Sequence, residues 1–226
     1  MTRRRRGLLV SLAVAVIASA VLFAPRLMRR SSFFRVHEIE VVGLRYLDQA
    51  EVARRLHLAA DASVMDPLER VRAAALAIPG VVAAAVDRRY PATLRVVLLE
   101  ATPVALAAQA DRMVLLDSRG RVLPFDPVRA PTSLPLAEPD SAATAVLTRV
   151  MLSDSSWFAA IDRAHRDGSD IILDEGGHQV RVRSGANAAT LRAVTAVRAY
   201  LGRRSVAWRE IDARYQGRVF VRKGTA

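Results

Sequence analysis

An uninterrupted apolar run, Leu8 to Ala24 (LLVSLAVAVIASAVLFA), constrains this chain more than any other stretch. Arg3, Arg4, Arg5 and Arg6 precede it, Arg26, Arg29 and Arg30 follow Pro25, and no charge falls inside it. Its polar side chains are Ser11 and Ser19, whose hydroxyls can bond carbonyls one turn back. As a helix, the run rises about 25 Å at ~1.5 Å per residue, the short end of what spans a hydrocarbon core of ~30 Å. Arginines at both ends make up the shortfall by extending their charged heads to the interfaces. The competing reading is a cleaved signal peptide with Ala18-Ser19-Ala20 at the cleavage site. Hydrophobicity continues through Val21, Leu22 and Phe23, where a mature N-terminus usually turns polar, and this favours a retained anchor. The cluster of four arginines ahead of the run favours a cytoplasmic N-terminus by a small margin. Everything large enough to fold then lies outside the cytoplasm.

Composition narrows the function classes. The net charge is +12, yet residues 1–30 hold seven arginines and no acid, so the rest carries 27 basic and 22 acidic residues. A basic stripe with interleaved aromatics, the footprint of a nucleic-acid binder, is missing outside the flanks of the run. Cysteine is absent, which excludes a disulfide framework.

From Phe34 to Glu100 the pattern reads β-α-α-β-β, an open three-stranded sheet covered by two helices. Val36, Ile39 and Val41 alternate up to Gly43; Asp48 and Glu51 make a capping-box-like helix start; and Val52, Leu56 and Leu58 point inward. Asp66-Pro67-Leu68-Glu69 places a second N-cap with proline at the first helical position, and Pro79-Gly80 stops that helix. Val81 to Arg88 and Thr93 to Glu100 form a hairpin. Beyond Pro103 a second α+β region is expected, with strands over 103–109, 113–117 and 121–125. A proline-rich loop over 126–140 follows, then helices over 142–152 and 157–166. A hairpin around Glu175-Gly176-Gly177, a helix over 188–201 and strands over 211–214 and 218–222 complete the chain.

The residues offer no assembled chemistry. There is no cysteine nucleophile or Gly-rich phosphate loop, and His37, His57, His165 and His178 are scattered. Strand alternation puts Glu38 and Glu40 on one face and His37 on the other, which argues against a metal there. No enzyme activity, cofactor, metal or small-molecule substrate is expected.

Several phrases, taken together and in order, resemble the FtsQ/DivIB family of bacterial cell-division proteins. They are FFRVHEIEVVGL, with Ile39, Val41 and Gly43 in an I-x-V-x-G ending, and Ile78-Pro79-Gly80-Val81 followed by Ala85 to Leu94. Leu99 to Ala105 is similar to the family's joint between domains, and Leu115 to Leu123 to its D-x-x-G turn. Leu134-Pro135-Leu136 and Ile211 to Val221 match the later phrases. Gly80 stands where the family usually has Trp, and Ala101 where it has Arg. The resemblance implies a short basic cytoplasmic tail (1–7), a transmembrane helix (8–24), a linker (25–32), a POTRA domain (33–101) and an FtsQ-type β domain (102–226) with a mainly antiparallel sheet. It implies a single-pass protein of the inner membrane at the division septum, a non-enzymatic scaffold linking early and late septation proteins. FtsB- and FtsL-like partners would then add a strand along the last strand of this chain, at Tyr215, Gln216, Gly217, Arg218, Val219, Phe220 and Val221. The alternative is a POTRA-containing chaperone for outer-membrane assembly or secretion, although no series of ~10-residue barrel strands is visible.

Overall fold

The computed structural model describes residues 31–224 together with Val14, Ile17 and Ser19. The remainder of the expected tail (1–7), transmembrane helix (8–24) and linker lies outside the described residues. Among the described residues no helix is long and apolar enough to cross a membrane. The chain divides into two units, Met1–Glu100 and Ala101–Ala226.

The first unit opens with a 3-10 turn, Ser32–Phe34, whose N-cap Ser31 accepts the Phe33 amide. The order is then β1 (Glu38–Val42), α1 (Gln49–Arg55), α2 (Glu69–Leu76), β2 (Val81–Arg89) and β3 (Thr93–Glu100). This is the β-α-α-β-β order that periodicity predicts. In the sheet β3 is central, parallel to β1 and antiparallel to β2. At the end of β1, Gly43 sits at φ +94°, and a Cβ there would collide with the Leu98 carbonyl oxygen, so the position admits only glycine. The next loop has no strand to pair with and closes on a side chain instead. The buried Glu100 carboxylate accepts the amides of Arg45, Tyr46 and Leu47 at 2.9–3.0 Å. The Asp48 cap forms as expected, accepting the Glu51 amide at 3.0 Å. Asp66 does not cap α2: its carboxylate takes the Ser63 amide, and α2 begins at Glu69 behind Leu68 with no side-chain cap. Val52, Val64, Ala75, Leu94, Val96 and Leu98 form the core between helices and sheet. Each larger side chain among them adds roughly 1.5–3 kcal/mol by leaving water.

The second unit contains β4 (Ala105–Gln109), β5 (Arg112–Leu116), β6 (Val122–Leu123), β7 (Leu136–Ala137), α3 (Ser141–Ser153), α4 (Ser155–Ala160), β8 (Arg163–Asp167), β9 (Asp170–Glu175), β10 (His178–Arg183), α5 (Ala188–Arg203), β11 (Trp208–Asp212) and β12 (Phe220–Lys223). They form one open sheet of nine strands in the order β12-β11-β10-β9-β8-β7-β4-β5-β6. Most pairings are antiparallel; β7 is parallel to both neighbours, and β10 is parallel to β11. Two expectations need correction. The proline-rich segment is not purely loop: Asp126 starts a 3-10 turn at Pro127–Arg129, and Leu136–Ala137 bridges the two halves of the sheet. The helix expected over 157–166 ends at Ala160, and Arg163–Asp167 is a strand paired on both sides. Ala164 is wholly buried there, so sheet pairing overrides the helical propensity of an Ala-rich segment. Trp157, Leu147, Leu173 and Leu191 pack the space between helices and sheet.

A candidate docking edge

The strand that ends the described chain is also the strand at the end of the sheet. β12 pairs antiparallel with β11 in the register Asp212↔Phe220, Ile211↔Val221 and Glu210↔Arg222, with a bulge before Trp208↔Lys223. Its other side has no strand beside it among the described residues. Outward-facing amides and carbonyls along that side can be met by an extended chain.

The residues of the expected strand divide into two groups. Tyr215, Gln216, Gly217, Arg218 and Val219 belong to the turn between β11 and β12, and only Phe220 and Val221 lie in the strand itself. Gly217 at φ +73° and the Arg218 amide donating to the Tyr215 carbonyl at 3.1 Å make the turn. That turn folds Tyr215 back onto Phe220, edge to face at 5.5 Å. Both rings stay about half exposed, at 51% and 50%. The edge thus presents a small aromatic platform beside free backbone.

What holds the turn is a clamp that the sequence reading did not include. The Arg214 guanidinium donates to both carboxylate oxygens of Asp212 at 2.9 and 2.7 Å and to Asp170 at 3.0 Å, and it lies over the Tyr215 ring at 5.7 Å. The Arg214 hydrogen bonds hold the Asp212 carboxyl below its ordinary value of 3.8, against the opposing effect of burial. Asp212 and Asp170 in turn raise the Arg214 value. The Asp-x-Arg spacing, which puts both side chains on one face of an extended segment, is the signal that could have found this clamp. Arg222 and Lys223 also belong to β12. Arg222 is tied to Glu210 at 3.0 Å, whereas Lys223 makes no ion pair among the described residues.

The same face of the sheet is covered with cross-strand charge pairs. Arg181 of β10 reaches Asp167 at 2.7 Å and both Asp170 and Glu210 at 3.7 Å, and Arg183 reaches Asp170 at 3.6 Å. These charges largely cancel one another, so the face is no cationic surface for a polyanion. No cluster of three or more metal-ligating side chains occurs among the described residues. Glu38 and Glu40 are engaged with Thr93 and Arg95 respectively. A cavity of about 670 Å³ lies in the first unit, lined largely by aliphatic side chains such as Leu58, Leu68, Val71 and Ala74.

The sequence profile described as "POTRA domain, FtsQ-type" matches residues 34–100, the whole of the β-α-α-β-β unit. No curated protein sequence matches the chain. A solved structure, the major extracytoplasmic domain of the trans isomer of the cell-division protein DivIB from Geobacillus stearothermophilus, aligns with 46% of this chain and 96% of its own. The identity is 19% and the TM-score 0.35, too low to carry an argument. Residues 34–100 of this chain are thus an FtsQ-type POTRA domain.

Proposed function

We propose that this protein is a membrane-anchored, non-enzymatic scaffold of the division machinery, retained in the inner membrane by Leu8 to Ala24. Its POTRA domain (33–101) and β domain (102–226) would lie outside the cytoplasm at the septum. The β domain binds an FtsB-like partner, itself in complex with an FtsL-like chain, by adding a partner strand to the free side of β12. The observation that carries this reading is the position of β12. It is the terminal strand of a nine-stranded open sheet, with unpaired backbone on one side and the Tyr215–Phe220 aromatic pair at its start. Strand addition uses main-chain hydrogen bonds for affinity and neighbouring side-chain contacts for specificity, and the edge supplies both. Anchoring confines the module to the membrane plane, which raises the effective concentration of other anchored chains. The nine strands form an open sheet with two ends, β12 and β6, instead of a closed barrel. That arrangement favours the scaffold over the outer-membrane chaperone.

Co-purification of FtsB- and FtsL-like chains with the full-length protein tests the reading. Tyr215→Ala and Phe220→Asp should each reduce recovery severalfold while the melting curve keeps its shape. Recovery equal to wild type in both variants overturns the assignment of the site to β12.

A further inference from the structure

The POTRA unit has two unlike ends. At one end the chain enters, and there three aromatic rings stack in series. Phe33 packs edge to face on Phe34 at 5.1 Å, and Phe34 on Tyr90 at 6.5 Å. The two outer rings contribute nothing to the core: Phe33 is 64% exposed and Tyr90 63%. The chain around them is firmly held. The Val36 amide donates to the Ala62 carbonyl at 2.8 Å, the Val64 amide to Phe34 at 2.9 Å, and the His37 amide to Ala92 at 2.9 Å. The rings are therefore exposed on a fixed frame. Arg35 and Arg89, both exposed, flank them and make no ion pair among the described residues. Arg88 is spent locally on the carbonyls of Val64 and Asp66. The acids of this end, Glu38 and Asp61, are exposed; Glu38 accepts the Thr93 hydroxyl. At the other end β3 finishes at Glu100 and the chain leaves.

We propose that the Phe33–Tyr90 end of the POTRA unit rests on the membrane, with both rings in the headgroup region and Arg35 and Arg89 against lipid phosphates. The proposal rests on the reading of Leu8 to Ala24 as a retained anchor. Length of chain selects a bilayer as the occupant. Six residues separate Ala24 from Ser31, and the seven steps between them span, fully extended, at most about 25 Å. Phe33 therefore stays close to the surface that the anchor pierces. Charge agrees: Arg26, Arg29 and Arg30 lie in that connection, so four arginines with no intervening acid run from the anchor to Arg35, and Arg89 adds a fifth beside the rings. Exposed aromatic rings with adjacent guanidinium groups match a membrane interface, where apolar ring bodies and polar tips are both accommodated. Each arginine near an anionic surface adds to the attraction. The consequence for function is orientation, because contact at this end points the exit of β3 away from the bilayer.

The absence of cysteine makes single-site labelling direct. Phe33→Cys, Tyr90→Cys and, as a control at the far end of β2, Val82→Cys are made in the full chain and labelled with an environment-sensitive fluorophore. Val82 is itself 52% exposed and about 25 Å of strand from Tyr90. The proteins are placed in nanodiscs of phosphatidylcholine, with or without phosphatidylglycerol, that contain lipids spin-labelled near the headgroup. The expected result is a blue shift and strong quenching at positions 33 and 90, with neither at 82. Added Arg35→Glu and Arg89→Glu changes should weaken quenching in the anionic discs. Labelled proteins must melt like the cysteine-free parent. A chain that does not co-migrate with nanodiscs overturns the anchor and this contact together. Co-migration with quenching at 33 and 90 no greater than at 82 overturns the contact alone and leaves the anchor standing.

Discussion

Both sheets have one face covered by helices and one left open, and they finish the open face in opposite ways. In the POTRA unit the open face carries Val42, Val97, Ala85 and Leu99 toward the far end, and its one ion pair is Arg95 with Glu40 at 3.6 Å. In the nine-stranded sheet the open face is a lattice of charges in which Arg181 and Arg214 each answer more than one carboxylate. The small sheet takes its stability from the helix side and from backbone closure. The large sheet locks its outer strands together through side chains, which helps keep β11 and β12 aligned at the end of the sheet. The proposed strand addition would draw on such a frame, because a partner strand gains little from pairing with backbone that has first to be ordered.

If backbone closure is what holds the small sheet, the largest single loss should come from Glu100. Three amides donate to this carboxylate, and hydrogen bonds to a charged group are each worth about 1.5–3 kcal/mol. Glu100→Ala should lower the stability of the first unit by about 3 kcal/mol, since the loop amides regain water as they open. Denaturant unfolding checks this, and Glu100→Gln, which keeps an acceptor oxygen, should recover part of the loss. An unchanged midpoint in Glu100→Ala would place the stability of this unit elsewhere.

The second comparison sets one arginine against the other. Arg181 keeps about a fifth of its surface in water and faces three carboxylates, of which Asp170 and Glu210 are largely covered. Arg181→Leu should cost about 2 kcal/mol, less than the fully buried case because water still screens the group. Arg95→Leu removes a single long, half-exposed pair and should change stability by less than about 1 kcal/mol. Equal effects from the two substitutions would erase the distinction between the faces.

Sequence made the first unit more legible than the second, for physical reasons that these residues illustrate. Val52, Leu94, Val96 and Leu98 are large, and their spacing is regular enough that periodicity alone places the elements of the POTRA unit. Gly43 marks the end of β1 because backbone approach forbids any side chain there. In the second unit Ile161 and Ala164 continue a helical spacing from Trp157 and Phe158, yet Ile161 ends the helix and Ala164 lies in a strand, because pairing with β7 and β9 is a non-local fact. Leu136 and Ala137 sit among prolines that read as loop. Pro135 lacks an amide, but its carbonyl accepts the Leu106 amide at 2.9 Å, and that is enough to seat two strand residues. At the C-terminal edge, the phrase Tyr215 to Val221 covers a turn as well as the start of β12, so the expected strand blurred turn into strand. Arg214 stayed unassigned because its second partner, Asp170, is 44 residues away.

The smallest expected effect is the response of the second unit to acid, and it needs no mutation to be seen. Three carboxyls of the second unit lie below their ordinary value. The Arg214 hydrogen bonds lower Asp212, and the Arg166 hydrogen bond lowers Asp140. At Asp117, burial pushes upward and is outweighed by hydrogen bonds from Arg121 and Arg119. A carboxyl with a folded value below its unfolded value of 3.8 binds fewer protons in the native state. Its contribution is therefore complete above that value and is lost as pH falls through the folded one. The second unit should show a level melting temperature from neutral pH down to about 5 and a progressive fall below about 4. Asp212→Asn should make that fall shallower while lowering the plateau, because it removes both the titrating group and its pair with Arg214. A variant whose acid limb runs parallel to wild type would show that Asp212 does not contribute to it, and the order of β12 would then have to come from its pairing with β11 alone.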